Sequence, residues 1–257
     1  MKDVQNEKDT RNVPIDRVGV TSVSYPIVVL DPKENIQHTV ANVTMAVSLP
    51  RNFRGTHMSR FLEVLNEFKG RVTLESLEQV TIDLKKKLNA SGSEVKIEFP
   101  YFINRKAPVS KSSSYTRYDV VFWASYDENF DFTVKVAVPV HTLCPCSKEI
   151  SEYGAHNQRA QVAIEVRMNK RVWIEELVAV AESCASSPVY TLLKRKDEKF
   201  VTEQAYSNPR FVEDVVREVA LKLDQDSRID WYSVSVVSQE SIHNHDAFAS
   251  LVRDKRR

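Results

Sequence analysis

Glycine is scarce in this sequence, at five residues in 257. That excludes a glycine-rich phosphate loop, and none of the glycine fingerprints for nucleotide binding is present. Cysteine is scarcer, at three. An odd and sparse count excludes a disulfide framework and points to a reducing compartment, the cytoplasm. An excess of either charge is also lacking: 36 Lys+Arg against 35 Asp+Glu leave a formal charge of +1. The chain therefore has no bulk electrostatic footprint for nucleic acid, although a local cationic pocket for a small anion remains open. No apolar run approaches membrane-spanning length. The N-terminal MKDVQNEKDTRN has no apolar centre, so residues 1–12 read as a solvated tail and not as a secretory signal. What is present is an ordinary globular composition, 42% hydrophobic and 28% charged, enough for one large domain or two intimate modules.

The elements follow from hydrophobic period. Residues 18–31 and 36–50, rich in Val, Thr and Ile, predict two long strands joined by a Pro-Lys-Glu-Asn turn. Phe61, Leu62, Leu65 and Phe68 recur at helical steps with Gly70 as a stop, and Leu74, Leu77, Val80, Leu84 and Leu88 do the same. Residues 93–108 and 114–128 are strand-like. The order then repeats: strands over 129–140 and 159–168, helices over 173–186 and 209–226, a strand over 230–241, and a last segment, 246–257, that fits either strand or helix. This is ββααββ written twice, an α+β chain of two modules, 13–127 and 128–257. Each module would be an antiparallel sheet with helices on one face. Such sheets leave edges and one face uncovered, so closure into a barrel by homo-oligomerisation is expected, with sites at the joins.

One connection stands out, PVHTLCPCSKEISEYGAHNQR over residues 139–159. Cys144, Cys146 and His156 are soft and borderline ligands suited to zinc or iron, yet the spacing is not that of a structural zinc site, and a lone Cys-x-Cys is often a small buried hydrophobe. Downstream, SIHNHDA sets His243 and His245 two residues apart just after a strand, with Glu240 upstream. If the strand continues, both imidazoles share a face; a solvated histidine pair is the plain alternative. The stretch 194–214 adds Asp197, Glu198, Glu203, Glu213 and Asp214, for most of which a solvated loop and helix face suffices. Cys184, in an apolar helical pattern, reads as core, and Trp173 and Trp231 as packing residues.

Taken in order, GTHMSRF, LCPCSKEISEYGAHNQR, DEKFVTE, NPRFVED and SIHNHDA resemble the GTP cyclohydrolase type IB family over nearly the whole chain. The resemblance implies a bimodular tunnelling fold, in agreement with the doubled ββααββ pattern. It implies conversion of GTP and water to 7,8-dihydroneopterin triphosphate and formate, the first step of folate and often queuosine biosynthesis, in a homo-oligomer (a tetramer) with sites at subunit interfaces. Neither nucleic acid nor membrane is a partner.

The resemblance also assigns residues. Cys144 and His156 hold one catalytic divalent metal, Glu198 is the third protein ligand, and Glu240 lies close to the ion. Three protein ligands leave room for a water whose pKa a divalent ion lowers from about 15.7 toward about 7; the mixed donor set suits Zn, Mn or Fe(II). His243 and His245 move protons as the imidazole ring opens, with Cys144 beside them in the catalytic set. Glu213 accepts the N1–H and 2-amino donors of guanine; an exposed first-turn glutamate favoured by the helix dipole is its plain alternative. The triphosphate needs cations, for which the sequence itself offers Arg60, Lys111, Arg117, Lys148, Arg159 and His57 as unranked candidates. Other functions on the same motifs are an archaeal-type enzyme releasing a dihydroneopterin cyclic phosphate with Fe(II), a non-catalytic purine or pterin binder, and a metalloprotein whose ion only staples a loop.

Overall fold

A computed structural model of the chain describes residues 5 and 7–256. By compactness it forms two units, Met1–Pro100 with Val121–Thr133, and Tyr101–Val120 with Val134–Arg257. The sequence-based division at 127/128 falls in the turn after a strand ending at Tyr126, and three long strands each contribute residues to both units.

The first unit is built on the hairpin of β1 (Ile15–Asp31) and β2 (Asn35–Leu49). Its turn is an Asx turn: Asp31 Oδ1 accepts the N–H groups of Lys33 and Glu34 at 2.7 and 2.9 Å, and Asn35 takes a left-handed φ of 69°. Helix α1 (Met58–Phe68), the two-residue strand β3 (Arg71–Val72) and α2 (Leu74–Lys87) follow. Then come β4 (Ser93–Lys106), β5 (Ser113–Tyr126) and β6 (Phe130–Leu143), each entering this unit in part. The strand order here is β5-β4-β2-β1-β3. Ile27, Val29, Val43, Met45, Val47, Val95, Ile97 and Phe99 alternate along the strands and are buried, as are Phe61, Val64, Leu65, Leu77, Val80 and Leu84 of the helices. Gly70 ends the first helix as its sequence position predicts. It has φ +68°, and a Cβ there would stand 2.4 Å from the Pro26 carbonyl. The described part of the predicted tail lies on the 52–55 loop through a Lys8–Phe53 bridge and hydrogen bonds from Asp9 N to Asn52 O (3.2 Å) and Arg54 N to Glu7 O (3.2 Å); the rest of it, residues 1–4 and 6, lies outside the described residues.

The second unit adds α3 (Pro145–Ile150), β7 (Asn157–Met168), α4 (Ile174–Cys184), β8 (Ser187–Pro188), α5 (Arg195–Ser207), α6 (Val212–Gln225), β9 (Ile229–Ser238) and β10 (Ala247–Asp254). Its strand order is β10-β9-β7-β6-β5-β4, with β8 on β6. The pairs β6/β7, β7/β9 and β9/β10 are antiparallel. Val136, Val138, Val140, Val162, Ile164, Tyr232, Val234 and Val236 present one apolar face, and Leu177, Val178, Ala181, Val215, Val219 and Leu223 of α4 and α6 cover it.

The final segment, open between strand and helix in the sequence, is the strand that the repeat calls for. The second half departs from the simple repeat in two places. The loop after β6 contains α3, which starts with Pro145 at N1 and Cys144 as N-cap. The charge-rich stretch read as loop and helix face holds a full helix, α5, whose only buried side chains are Asp197 and Ala205. Asp197 substitutes for an apolar stripe. Its Oδ1 accepts from Val109 N (2.8 Å) and Ser110 N (2.7 Å), and its Oδ2 from Lys194 N (2.8 Å).

Candidate active site

The second unit contains a cavity of about 410 Å³ that opens to solvent where β6 and β9 end and β7 and α6 begin. Cys144, His156, Glu213, Glu240, His243 and His245 all line it. Each is delivered by a different local device.

Cys144 stands at the end of β6, where Pro145 turns the chain into α3. Its N–H donates to the His156 carbonyl at 3.1 Å, so the two ends of the Cys–His loop are tied across the last rung of β6 and β7. Its Sγ accepts the Ser147 N–H at 3.4 Å. Ser147 Oγ in turn accepts the His156 N–H at 3.2 Å. Cys146, one residue into α3, is exposed, and Cys184 is buried in α4. Burial pushes the Cys184 thiol up, as its reading as core implies.

His156 is oriented from behind. Its Nδ1 lies 3.0 Å from Gln158 Oε1, and Gln158 Nε2 donates to Glu240 Oε1 at 3.3 Å. A carboxylate only accepts, so Glu240 fixes which end of the Gln158 amide is nitrogen, and the amide oxygen then requires a proton on Nδ1 of His156. Nε2 is left as the lone-pair nitrogen, the form a metal binds. Glu240 Oε1 also accepts from Ser238 Oγ at 3.0 Å. Among the described residues, no three His, Cys, Asp or Glu side chains form a metal cluster. The donor chemistry still fits a divalent ion: a thiol and an imidazole with its lone pair set free, beside a hydrogen-bonded carboxylate.

His243 and His245 share one side of the cavity, by a route other than strand alternation. β9 ends at Ser238, and both histidines lie in the exposed bends before β10. Their rings stack at 5.1 Å between centroids with 22° between planes. Gln239 N donates to the Arg159 carbonyl at 3.0 Å, which anchors the start of this loop to β7.

Glu213 lies in the first turn of α6, as its plain alternative requires, and it also lines the cavity. Beside it is a residue that sequence reasoning passed over, Arg210. Its N–H donates to the Leu143 carbonyl at 3.0 Å, next to Cys144, and its guanidinium Nε is buried without a hydrogen-bond partner among the described residues. A usable signal was present: a cation just before a helix N-terminus opposes the dipole and calls for another reason to be there. Gln158, Ser238 and Phe248 were likewise not singled out.

The remaining expected residues lie elsewhere. Glu198 is exposed on α5 and does not line the cavity. Lys148 is engaged, with Nζ donating to the Tyr206 carbonyl at 2.6 Å and lying 4.4 Å from that ring's centroid. Lys111 Nζ donates to the Pro108 carbonyl at 2.7 Å, Arg117 pairs with Asp119 at 2.8 Å, and Arg159 is exposed on β7. In the first unit, His57 is the N-cap of α1, and Arg60 donates to the Lys87 carbonyl at 3.2 Å. None of these six cations lines this cavity.

A family model described as "Type I GTP cyclohydrolase folE2" matches residues 1–249. The GTP cyclohydrolase FolE2 of Geotalea uraniireducens (strain Rf4) is 54% identical over 256 residues, covering 100% of this chain and 94% of that protein. The GTP cyclohydrolase FolE2 of Kosmotoga olearia is 53% identical over 255 residues, covering 99% of each. Among solved structures, uricase from Arthrobacter globiformis superposes with a TM-score of 0.55 at 10% identity, over 93% of both chains. Urate oxidase from Bacillus sp. TB-90 gives 0.56 at 10% identity, over 93% of this chain and 100% of that one. At such identity the likeness concerns the fold alone, and that fold is the tunnelling fold.

Proposed function

The chain belongs to the type I GTP cyclohydrolase FolE2 family and is a GTP cyclohydrolase, and we propose that it opens the guanine imidazole ring of GTP to give 7,8-dihydroneopterin triphosphate and formate, the first step of folate and of queuosine synthesis. The observation that carries this reading is the convergence of Cys144, His156, Glu213, Glu240, His243 and His245 on one cavity.

Cys144 and His156 would hold one divalent metal, Zn, Mn or Fe(II), with Glu240 beside it; Glu198, the proposed third ligand, is exposed on α5 outside the cavity, so α5 would have to shift to bring it in. A divalent ion there supplies the Lewis acidity that brings water within reach of deprotonation at neutral pH. Gln158 keeps His156 in the metal-binding tautomer. Glu213 accepts the N1–H and 2-amino donors of guanine and so fixes the orientation of the ring in the cavity. His243 and His245 deliver protons to the ring nitrogens as the two C8–N bonds break and C8 leaves as formate. The stacked pair suits that role, because both imidazoles stand side by side at the wall of the cavity.

The proposed assembly is a homo-oligomer, a tetramer, with sites at the subunit joins. In its favour, Phe248 lines the cavity while 76% exposed, and it lies with Val252 on the edge strand β10, where an uncovered apolar edge invites a second copy. The triphosphate cations would come from Arg60, Lys111, Arg117, Lys148, Arg159 and His57 of a neighbouring copy, since none of them lines this chain's own cavity. No helix among the described residues is long and apolar enough to cross a membrane. The three cysteines are free thiols, in keeping with the proposed cytoplasmic location.

The test is GTP added to metal-reconstituted protein, with formate measured and the product oxidised to a fluorescent neopterin. A triphosphorylated neopterin is expected. A cyclic phosphate product, or GTP bound and unchanged, would overturn the reading.

A further inference from the structure

We propose that Arg210 reads the O6/N7 edge of the guanine whose N1 and 2-amino donors Glu213 accepts, and so helps determine base specificity. This rests on the assignment of the cavity to the GTP base.

Arg210 and Glu213 flank the start of α6 and line the same cavity. Arg210 is held in place by its backbone, through the bond to Leu143, and not by its side chain. The guanidinium makes one loose ion pair, Nη1 to Glu218 Oε1 at 3.8 Å, and its buried Nε has no partner among the described residues. A buried donor without an acceptor is rare in folded chains, and at a binding site the ligand is the natural source of the acceptor. Two acceptors of a nucleotide could fill that role, the neutral purine edge or the anionic phosphate tail. The cavity's other ionisable lining includes the carboxyl groups of Glu213 and Glu240, which repel a polyanionic tail and leave a neutral base. Guanine presents its donors N1–H and 2-NH2 beside its acceptors O6 and N7. A carboxylate complements the first pair, and a guanidinium fork complements the second in the commonest specific arginine–guanine contact. Adenine offers an amino donor at the position of O6 and would meet Arg210 donor to donor.

The experiment uses the metal-loaded full chain and measures kcat/KM for GTP, with inhibition constants for 7-deaza-GTP, which lacks the N7 acceptor, and for inorganic tripolyphosphate. Arg210→Met should lower kcat/KM for GTP by about 10- to 100-fold, raise the 7-deaza-GTP constant by a smaller factor, and leave tripolyphosphate inhibition unchanged. Arg210→Lys keeps the charge and the aliphatic stem but not the fork, so it should recover only a minor part of the loss. It also carries the test should the Met variant fold poorly. Weakened tripolyphosphate inhibition would assign Arg210 to the phosphate tail instead, and full recovery by lysine would reduce its role to charge. Either result overturns the proposal. Glu213→Gln separates the two levels of inference. If it impairs GTP turnover while Arg210→Met does not, only the Arg210 assignment fails; if neither changes turnover, the base lies elsewhere and the cavity assignment fails too.

Discussion

Gln158 donates its side-chain amide to Glu240, Nε2 to Oε1 at 3.3 Å, while the oxygen of the same amide meets His156 Nδ1 at 3.0 Å. One neutral side chain thus sets the tautomer of one residue from the charge of another. Gln158→Leu should weaken metal affinity by about 10- to 100-fold, as loss of such supporting bonds generally does, with little change in fold. A chelator-competition titration of the apo protein reads this directly. Unchanged affinity would mean that His156 needs no such support.

Cys144→Ala and His156→Ala should each lose bound metal and activity together while secondary structure persists. The loop's own backbone bond, Cys144 N to His156 O, survives both changes, so the ion is not needed to staple it. Metal content by elemental analysis, beside circular dichroism, separates this from a structural role, in which removing the ion unfolds the chain.

Glu213→Gln should lower kcat/KM for GTP by about 10- to 100-fold, since an amide turns a donor toward guanine's donor edge and such a buried mismatch costs about 1–3 kcal/mol. Metal content should be normal. Wild-type kinetics would return Glu213 to the status of an ordinary first-turn carboxylate.

His243→Ala and His245→Ala should each reduce turnover by about 10²–10⁴-fold with metal retained. The double variant should lose less than the product of the two, because groups acting as one unit are not additive. A loss accounted for entirely by missing metal would make one of them a ligand.

Acid should loosen α5 before the rest of the chain. Burial pushes the Asp197 carboxyl up, but hydrogen bonds from Ser110, Lys194 and Val109 outweigh it and hold the group well below the usual carboxylate range. A depressed folded-state pKa contributes stability that is fully present above the ordinary carboxylate value, about 4, and is lost as pH falls below it. Asp197→Asn should therefore be less stable than wild type at neutral pH and show a flatter decline in thermal midpoint below about pH 4. Parallel midpoint curves for the two proteins would remove Asp197 from the account.

Much of this architecture is legible in the sequence because period 2 and period 3.6 are written in apolar residues along β1, β2, β6, β7 and β9 and along α1, α2, α4 and α6. Helix α5 is not, because it buries only Asp197 and Ala205 and its place is set by a carboxylate bonded to a distant loop. The pairing of His243 with His245 was anticipated from strand alternation, yet a loop brings the rings together; sequence spacing conveys nearness but not the path of the chain. For Arg210 the sequence offers only a cation placed against a helix dipole; what marks it firmly is an unmet hydrogen bond, a property of the folded molecule.

The tie from Gln239 N to the Arg159 carbonyl has a consequence for how activity is born. Cys144 and His156 flank the ends of two strands that can pair early, but Glu240, His243 and His245 arrive only when β9 docks beside β7, a pairing of segments far apart in sequence and hence slow. On refolding from denaturant, helical signal should return well before turnover does. A variant truncated before β9 would keep Cys144 and His156 yet lack Glu240, His243 and His245, so the lining of the cavity depends on that late pairing.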